Sequence, residues 1–328
     1  MPSAPGAGIE AGAGAGDGAE QAAVVFPAMG TVVSLRAYGP TAGSTLAAAA
    51  ALVAELEALL SRTRPDSEIS ALNRSAGRWT RVHPDTDAVL REALHHARHT
   101  GGAFDPAVGV LVDLWGIAHR GAPDGWQLPD DTTVRAALRR CGHRQVERVD
   151  DGRYRLRPGV ELDLGGIGKG YAVHRVRDLC RRRGITSALL SLGGSSVAAF
   201  GARPDGAPWK IGLRGGTADQ GGLLGVVHLV NGFLSTSGDD EQYVVHGGRR
   251  YHHILDLRTG YPARSGLRSV TVVAGSGAQA EAYSTALLVM GPAAALERYD
   301  RDGDFEAVLV TTEGRIICTP GIGGQFRS

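Results

Sequence analysis

The sequence lacks the cysteines of a disulfide framework. Only Cys141, Cys180 and Cys318 occur, far apart and without a C-x-x-C pair. So sparse and odd a set gives no thiolate metal site, fits a reducing compartment, and leaves three thiols expected to be buried and inert. A charge surplus is lacking as well: 35 Lys and Arg stand against 34 Asp and Glu. That near-balance argues against a general binder of nucleic acid or membrane surface, both of which need a basic excess. No run of about 18 apolar residues occurs, so no membrane span is expected. The N-terminus "MPSAPGAGIEAGAGAGDGAEQ" lacks a basic region followed by an apolar one, so it does not read as a secretory signal, and a cytoplasmic protein is expected. Residues 1–23 are too poor in apolar side chains to order themselves, and the folded unit is expected over 24–328. No internal repeat and no linker divides that unit.

What is present is a globular composition, 43% hydrophobic over 328 residues, ample for a sizeable core. Two β-rich runs flank Ala28-Met29-Gly30-Thr31. Helical spacing of apolar residues predicts helices over 44–61, 84–100, 132–141, 171–183 and 278–290. Extended runs are expected over 160–163, 187–192, 225–230, 242–245, 269–274 and 305–311. Strands and helices mix without regular βαβ alternation, which favours an α+β fold: mixed, largely antiparallel sheets with flanking helices in one compact unit.

The stretch "DLGGIGKG" (163–170) holds four glycines and a lysine between an expected strand and an expected helix. That layout presents backbone N–H groups to an anion. It is neither of the two familiar phosphate loops. Asp163 and Gly170 break the GxxxxGK[ST] pattern, and Tyr171 stands where GxGxxG needs its last glycine. The plainer reading is a glycine-rich turn with a solvated Lys169. In "TGGAFDPAVGVLVDLWG" (100–116), Asp105 lies between Phe104 and Pro106, either as a fixed carboxylate or as a helix N-cap. "YHHILDLRTGYP" (251–262) carries adjacent histidines which, on a strand, point to opposite faces. One could accept a proton near neutral pH while the other packs. His95, His96 and His99 show no metal-binding pattern and read as solvated. Glu281 and Thr285 lie four apart on a helix, hence on one face, and a carboxylate with a hydroxyl suits a hard cation such as Mg²⁺. Each signal also has an ordinary structural reading. Together they describe Mg²⁺-assisted chemistry on a phosphate ester or anhydride.

The ordered segments "AMGT" (28–31), "SRTRPDSEISALN" (61–73), 100–116, "LDLGGIGKGYAVHRV" (162–176), "LLSLGGS" (189–195), "STSGDDEQY" (235–243), 251–262 and "AQAEAYSTALLVMG" (278–291) resemble the ApbE-type FAD:protein FMN transferases. The resemblance spans most of the chain. It implies that FAD, as substrate, places its pyrophosphate near the glycine loop with Mg²⁺ bridging it. A Ser or Thr hydroxyl of an acceptor protein would attack the phosphorus next to riboflavin, releasing AMP. It places flavin-nucleotide contacts on Met29, Ala103, Phe104, Asp105, Asp163, Lys169 and Leu255. It places metal ligation on the Gly166 carbonyl, Glu281 and Thr285, and the role of proton acceptor on His253. The expected acceptor is cytoplasmic.

The sequence departs from the usual family pattern at five positions. Glu281 and His174 stand where Asp is usual, Thr63 where an aromatic is usual, Ala107 where Thr is usual, and Leu257 where Pro is usual. Two alternatives stand beside the transferase: an Mg²⁺-dependent FAD hydrolase yielding FMN and AMP, and a flavin-nucleotide-binding protein with impaired catalysis.

Overall fold

The computed structural model describes residues 21–75, 77–117, 125–214 and 222–327. Its centre is an eight-stranded sheet with the spatial order Gln21–Ala28, Thr31–Tyr38, Ser187–Leu192, Ser196–Phe200, Gly232–Gly238, Leu267–Ala274, Phe305–Thr311 and Ile316–Cys318. Every neighbouring pair is antiparallel. The chain is already in a strand at Gln21, while residues 1–20 of the expected tail lie outside the described residues.

Both faces of this sheet are covered, and the period-2 alternation of its strands shows how. Leu190, Leu192, Ala198, Phe233, Val270, Val272, Ala307 and Leu309 point into the main core under the helices. Leu189, Val197, Ala199, Leu234 and Val308 point the other way, onto a three-stranded sheet formed by Trp209–Arg214, Leu223–Leu229 and Phe326–Arg327. Ser187–Leu192 is therefore buried at every residue. The fold is α+β, with helices, a large antiparallel sheet and a small sheet in layers.

Helix Ala42–Leu60 is long and apolar enough to cross a membrane by length and composition, although no span was expected. Its Leu46, Ala49, Val53, Leu56 and Leu60 recur at helical spacing and are buried in the core, as in a helix lying on a sheet. The other long helices are Pro84–His99, Gly168–Arg182, Gly277–Met290 and Pro292–Asp302.

Two expectations about the chain before and within the glycine loop need correcting. Residues 160–163 form no strand. Their backbone groups are taken by other partners: the Asn73 side chain bonds Leu162 at both N–H and C=O (2.8 and 3.0 Å), Asp163 N–H donates to Pro106 O (2.7 Å), and Glu161 O accepts from Gly109 N–H (3.0 Å). The helix expected from Tyr171 begins at Gly168, so Lys169 and Gly170 belong to its first turn. Glycines there hid the start, because their low helix propensity reads as loop.

Candidate active site

The glycine loop is anchored from below. Leu164 and Ile167 are buried, Gly165 N–H donates to Asp163 Oδ1 (2.7 Å), and Gly168 N–H donates to Leu164 O (2.7 Å). The helix that follows has no capping side chain of its own. Its cap comes from elsewhere: Gly170 N–H donates to Glu281 Oε2 (2.5 Å), a carboxylate on helix Gly277–Met290. That second helix also lacks a local side-chain cap, and its Gly277 N–H leans on His174 Nδ1 at 3.5 Å, a weak contact. The two helices thus meet at their N-termini, each lending the other an acceptor. Burial, and then the neighbouring Arg177, lower the pKa of His174 against the opposing pull of Asp178, which suits it to accept. Its ring lies 4.6 Å from that of Phe233.

Glu281 is buried, with its other oxygen, Oε1, 2.6 Å from Lys169 Nζ and 3.4 Å from Ser196 Oγ. Lys169 Nζ also donates to Gly165 O (3.2 Å). Burial works against the ammonium charge, but Glu281, with Glu241 and Asp163 beyond it, outweighs burial and raises the pKa above the ordinary lysine value. Lys169 is therefore an ion-paired group, not the solvated lysine of the plainer reading. Crowding by the surrounding chain pushes Glu241 up to about 7; Lys169 opposes this, and Asp240 and Glu281 add to it. Glu241 keeps solvent contact, which tempers that shift.

Thr285, one turn along from Glu281, lies 3.2 Å from Ser237 Oγ, which in turn lies 2.9 Å from Ser284 Oγ. Gly166 sits between this hydroxyl group and an aromatic ring. A Cβ there would be 3.2 Å from Phe104 Cε2 and 3.6 Å from Thr285 Oγ1. Met29 holds a left-handed backbone (φ 51°) beside Gly30 (φ 71°), in the two-residue turn that joins the first strands. A Cβ on Gly168 would lie 3.7 Å from Met29 Cε, so that turn reaches the glycine loop. Met29, Phe104, Asp163, Gly166, Lys169, Glu281 and Thr285 therefore meet, although they come from four separate stretches of sequence.

Asp163 Oδ2 is 3.4 Å from Arg62 Nε, and Arg62 also pairs with Asp113 and Glu161. Asp105 is no helix N-cap: it accepts from Ala107 N–H (2.9 Å) and from His143 N–H (2.8 Å), with His143 Nδ1 2.6 Å away. The cap position of the helix that follows, Gly109–Trp115, is Val108. Ala103 lies two residues before Asp105, its N–H donating to Thr100 O (3.2 Å).

The two adjacent histidines have different partners, although the strand Arg249–His252 ends before His253, so the alternation expected of a strand does not extend to it. His252 is buried; its Nε2 bonds Ala263 O (2.9 Å) and its Nδ1 accepts from Ile254 N–H (3.3 Å). Burial lowers its pKa, and that bonding pattern belongs to a neutral ring. His253 is half-buried, with its Nδ1 3.2 Å from Gln242 O. Gln242 follows Glu241, so His253 is tied to the segment that faces Lys169. Leu255 is buried in a two-residue strand paired with Tyr261–Pro262.

His96 corrects the reading of a solvated histidine group: it is buried, with its ring edge-on to Tyr283 at 5.6 Å. Of the cysteines only Cys180 is fully buried, while Cys141 and Cys318 are half-buried. Burial pushes the Cys141 and Cys180 thiols up to about 11, so both stay protonated near neutral pH.

Arg62, His143, Ser196, Ser237 and Glu241 did not stand out individually. Ser237 and Glu241 lie within the 235–243 segment already noted, and Arg62 within 61–73. Ser196 directly follows 189–195, and His143 carries no signal at all.

The ApbE family profile matches residues 29–309, most of the chain. The chain belongs to the ApbE family. Among curated ApbE relatives, an "FAD:protein FMN transferase" of Treponema pallidum is 32% identical over 91% of this chain and 87% of its own length. One from Klebsiella pneumoniae is 33% identical over 82% of each chain. The ApbE protein of Thermotoga maritima superposes with a TM-score of 0.86 at 30% identity, covering 94% of this chain and all of that one. The flavin transferase ApbE from Vibrio cholerae gives 0.84 at 27% identity, with the same coverage.

Proposed function

We propose that this protein transfers FMN from FAD to a Ser or Thr hydroxyl of an acceptor protein, with Mg²⁺ as cofactor. The observation that carries this reading is the convergence of Gly166, Lys169, Glu281 and Thr285 on one glycine loop. The relatives, FAD:protein FMN transferases, supply the reaction class.

The donor set suits Mg²⁺. Among the described residues no group of three or more His, Cys, Asp or Glu side chains could hold a metal ion, which disfavours zinc-like sites. A carboxylate, a hydroxyl and a backbone carbonyl are all hard oxygen donors, and Mg²⁺ is commonly held by one or two carboxylates plus substrate phosphates. Glu281, Thr285 and the Gly166 carbonyl would hold it. When bound, it would neutralise charge on the pyrophosphate and polarise the phosphorus under attack.

The chain's own residues do the rest. Lys169 supplies a charge-assisted contact to the pyrophosphate, and Met29, Ala103, Phe104, Asp105, Asp163 and Leu255 bound the nucleotide. His253 takes the proton of the acceptor hydroxyl as its oxygen forms a bond to the phosphorus next to riboflavin. The phosphoanhydride bond breaks and AMP leaves with the electron pair. His252 has both ring nitrogens engaged by the backbone and stays structural. Thr63, near Arg62, leaves the nucleotide without an aromatic platform at that position.

We place the reaction in the cytoplasm, a reading supported by three free cysteines. Cell fractionation tests the compartment. The activity is tested by incubating the protein with FAD, Mg²⁺ and candidate acceptors. A fluorescent acceptor band on a denaturing gel supports transfer. AMP and FMN without that band replace it with hydrolysis, and the absence of both products leaves a binding protein.

A further inference from the structure

We propose that Lys169 and the divalent cation compete for the Glu281 carboxylate, so that Lys169 is a resident counter-ion which cation binding expels toward the incoming pyrophosphate. The proposal rests on the metal and nucleotide placement just given, and adds an order and a coupling to it.

Glu281 is the only carboxylate in the proposed donor set, and both of its oxygens are engaged. Oε2 is fixed by Gly170 N–H at 2.5 Å, a backbone group of the helix first turn that cannot swing away. Oε1 is held by Lys169 Nζ at 2.6 Å and by Ser196 Oγ at 3.4 Å. Of these partners the lysine is the mobile one, a charged head on a flexible four-carbon stem that keeps 24% of its side-chain area exposed, whereas Glu281 keeps 5%. A cation binding to Oε1 therefore meets an ammonium group already there. Two positive groups a few ångström apart at one partly buried carboxylate repel strongly, so one must leave.

The expelled lysine has somewhere to go. Glu241 and Asp163 already act on its charge, and Gly165 O lies within hydrogen-bond reach. A pyrophosphate over the loop amides would offer a stronger partner. Cation and nucleotide binding would then help one another through Lys169: the first frees the ammonium, and the second gives it a new partner. Such coupling is reciprocal by linkage.

Two measurements test this. In the first, Mg²⁺ alone is titrated calorimetrically into wild type, Lys169→Met and Lys169→Arg, with no nucleotide present. Removing the competing charge should tighten Mg²⁺ about 10-fold or more in Lys169→Met, while Lys169→Arg stays near wild type. Unchanged or weaker Mg²⁺ binding in Lys169→Met overturns the proposal. In the second, wild type is pulse-labelled with acetic anhydride and the modification at Lys169 is read by mass spectrometry. Mg²⁺ alone should raise labelling several-fold, and adding inorganic pyrophosphate should lower it again; labelling indifferent to Mg²⁺ overturns the proposal even if Lys169→Met fails to fold. Neither measurement uses FAD. A protein that does not bind FAD but shows the Mg²⁺ effects would sink the proposed function and leave the competition standing.

Discussion

A methyl group on Gly170 would lie 2.1 Å from the Gly277 carbonyl oxygen, and one on Gly277 would lie 2.1 Å from the Gly170 carbonyl oxygen. The two helices of the site touch backbone to backbone at their first turns. No side chain fits between them, and this contact sets how far Glu281 must reach to cap Gly170.

Gly170→Ala should therefore destabilise by about 3 kcal/mol or more, because backbone, not a flexible side chain, must give way. Gly166→Ala meets only the edge of the Phe104 ring at 3.2 Å and should cost about 1 kcal/mol. Urea unfolding of both variants checks the contrast. Equal, small losses would mean that the helices separate easily.

Glu281 serves two functions that a single substitution can separate. Glu281→Gln keeps an oxygen to accept from Gly170 N–H but removes the charge. Its stability should fall by about 1–2 kcal/mol, because the cap is kept while Lys169 loses the carboxylate that offsets its burial. Mg²⁺ affinity should fall at least 10-fold and turnover should drop with it. Calorimetry and thermal unfolding on the same samples check this, and a variant with unchanged Mg²⁺ affinity would remove Glu281 from the metal site.

The adjacent histidines should part in what they damage. His253→Ala should lose roughly 10²- to 10⁴-fold in transfer rate with little change in unfolding. His252→Ala strips two buried backbone groups, Ala263 O and Ile254 N–H, of their partner and should cost about 2 kcal/mol of stability. Its folded fraction should keep most of its turnover. If the two variants show the same pattern, the division between base and structural histidine fails.

His96 predicts an acid limb in stability. Burial, with smaller repulsion from His95 and His99, lowers its pKa from 6.5 to about 4. The folded state then binds fewer protons than the unfolded state between those values, so stability rises with pH from about 4 to 6.5 and is flat above. The span should be up to about 3 kcal/mol, from the size of the shift. His96→Gln should flatten that limb when urea midpoints are compared across pH. A limb that persists undiminished would assign it to other groups.

Much of this protein was legible in the sequence by itself. Apolar periodicity located the helices that became Ala42–Leu60, Pro84–His99, Gly168–Arg182 and Gly277–Met290, though not Pro292–Asp302, while Ser187–Leu192 and Phe305–Thr311 were legible as short apolar runs of the kind a strand covered on both faces requires. The spacing of Glu281 and Thr285 put them on one helix face, and ordered segments along the chain pointed to the family. What the tertiary structure alone decided are the partners across chain separation. Residues 160–163 lost their strand to the Asn73 side chain, 89 positions away from Leu162. Lys169 gained Glu281, and the glycine-loop helix gained its cap from a second helix 111 positions on. His143 came to Asp105 with no pattern to announce it, and His96 went inside from what read as a solvated group. Such pairings depend on which faces the sheet and helices present to one another, and packing fixes that only when the whole core closes. A local period can show that a side chain faces inward, but it cannot name the group it will meet there.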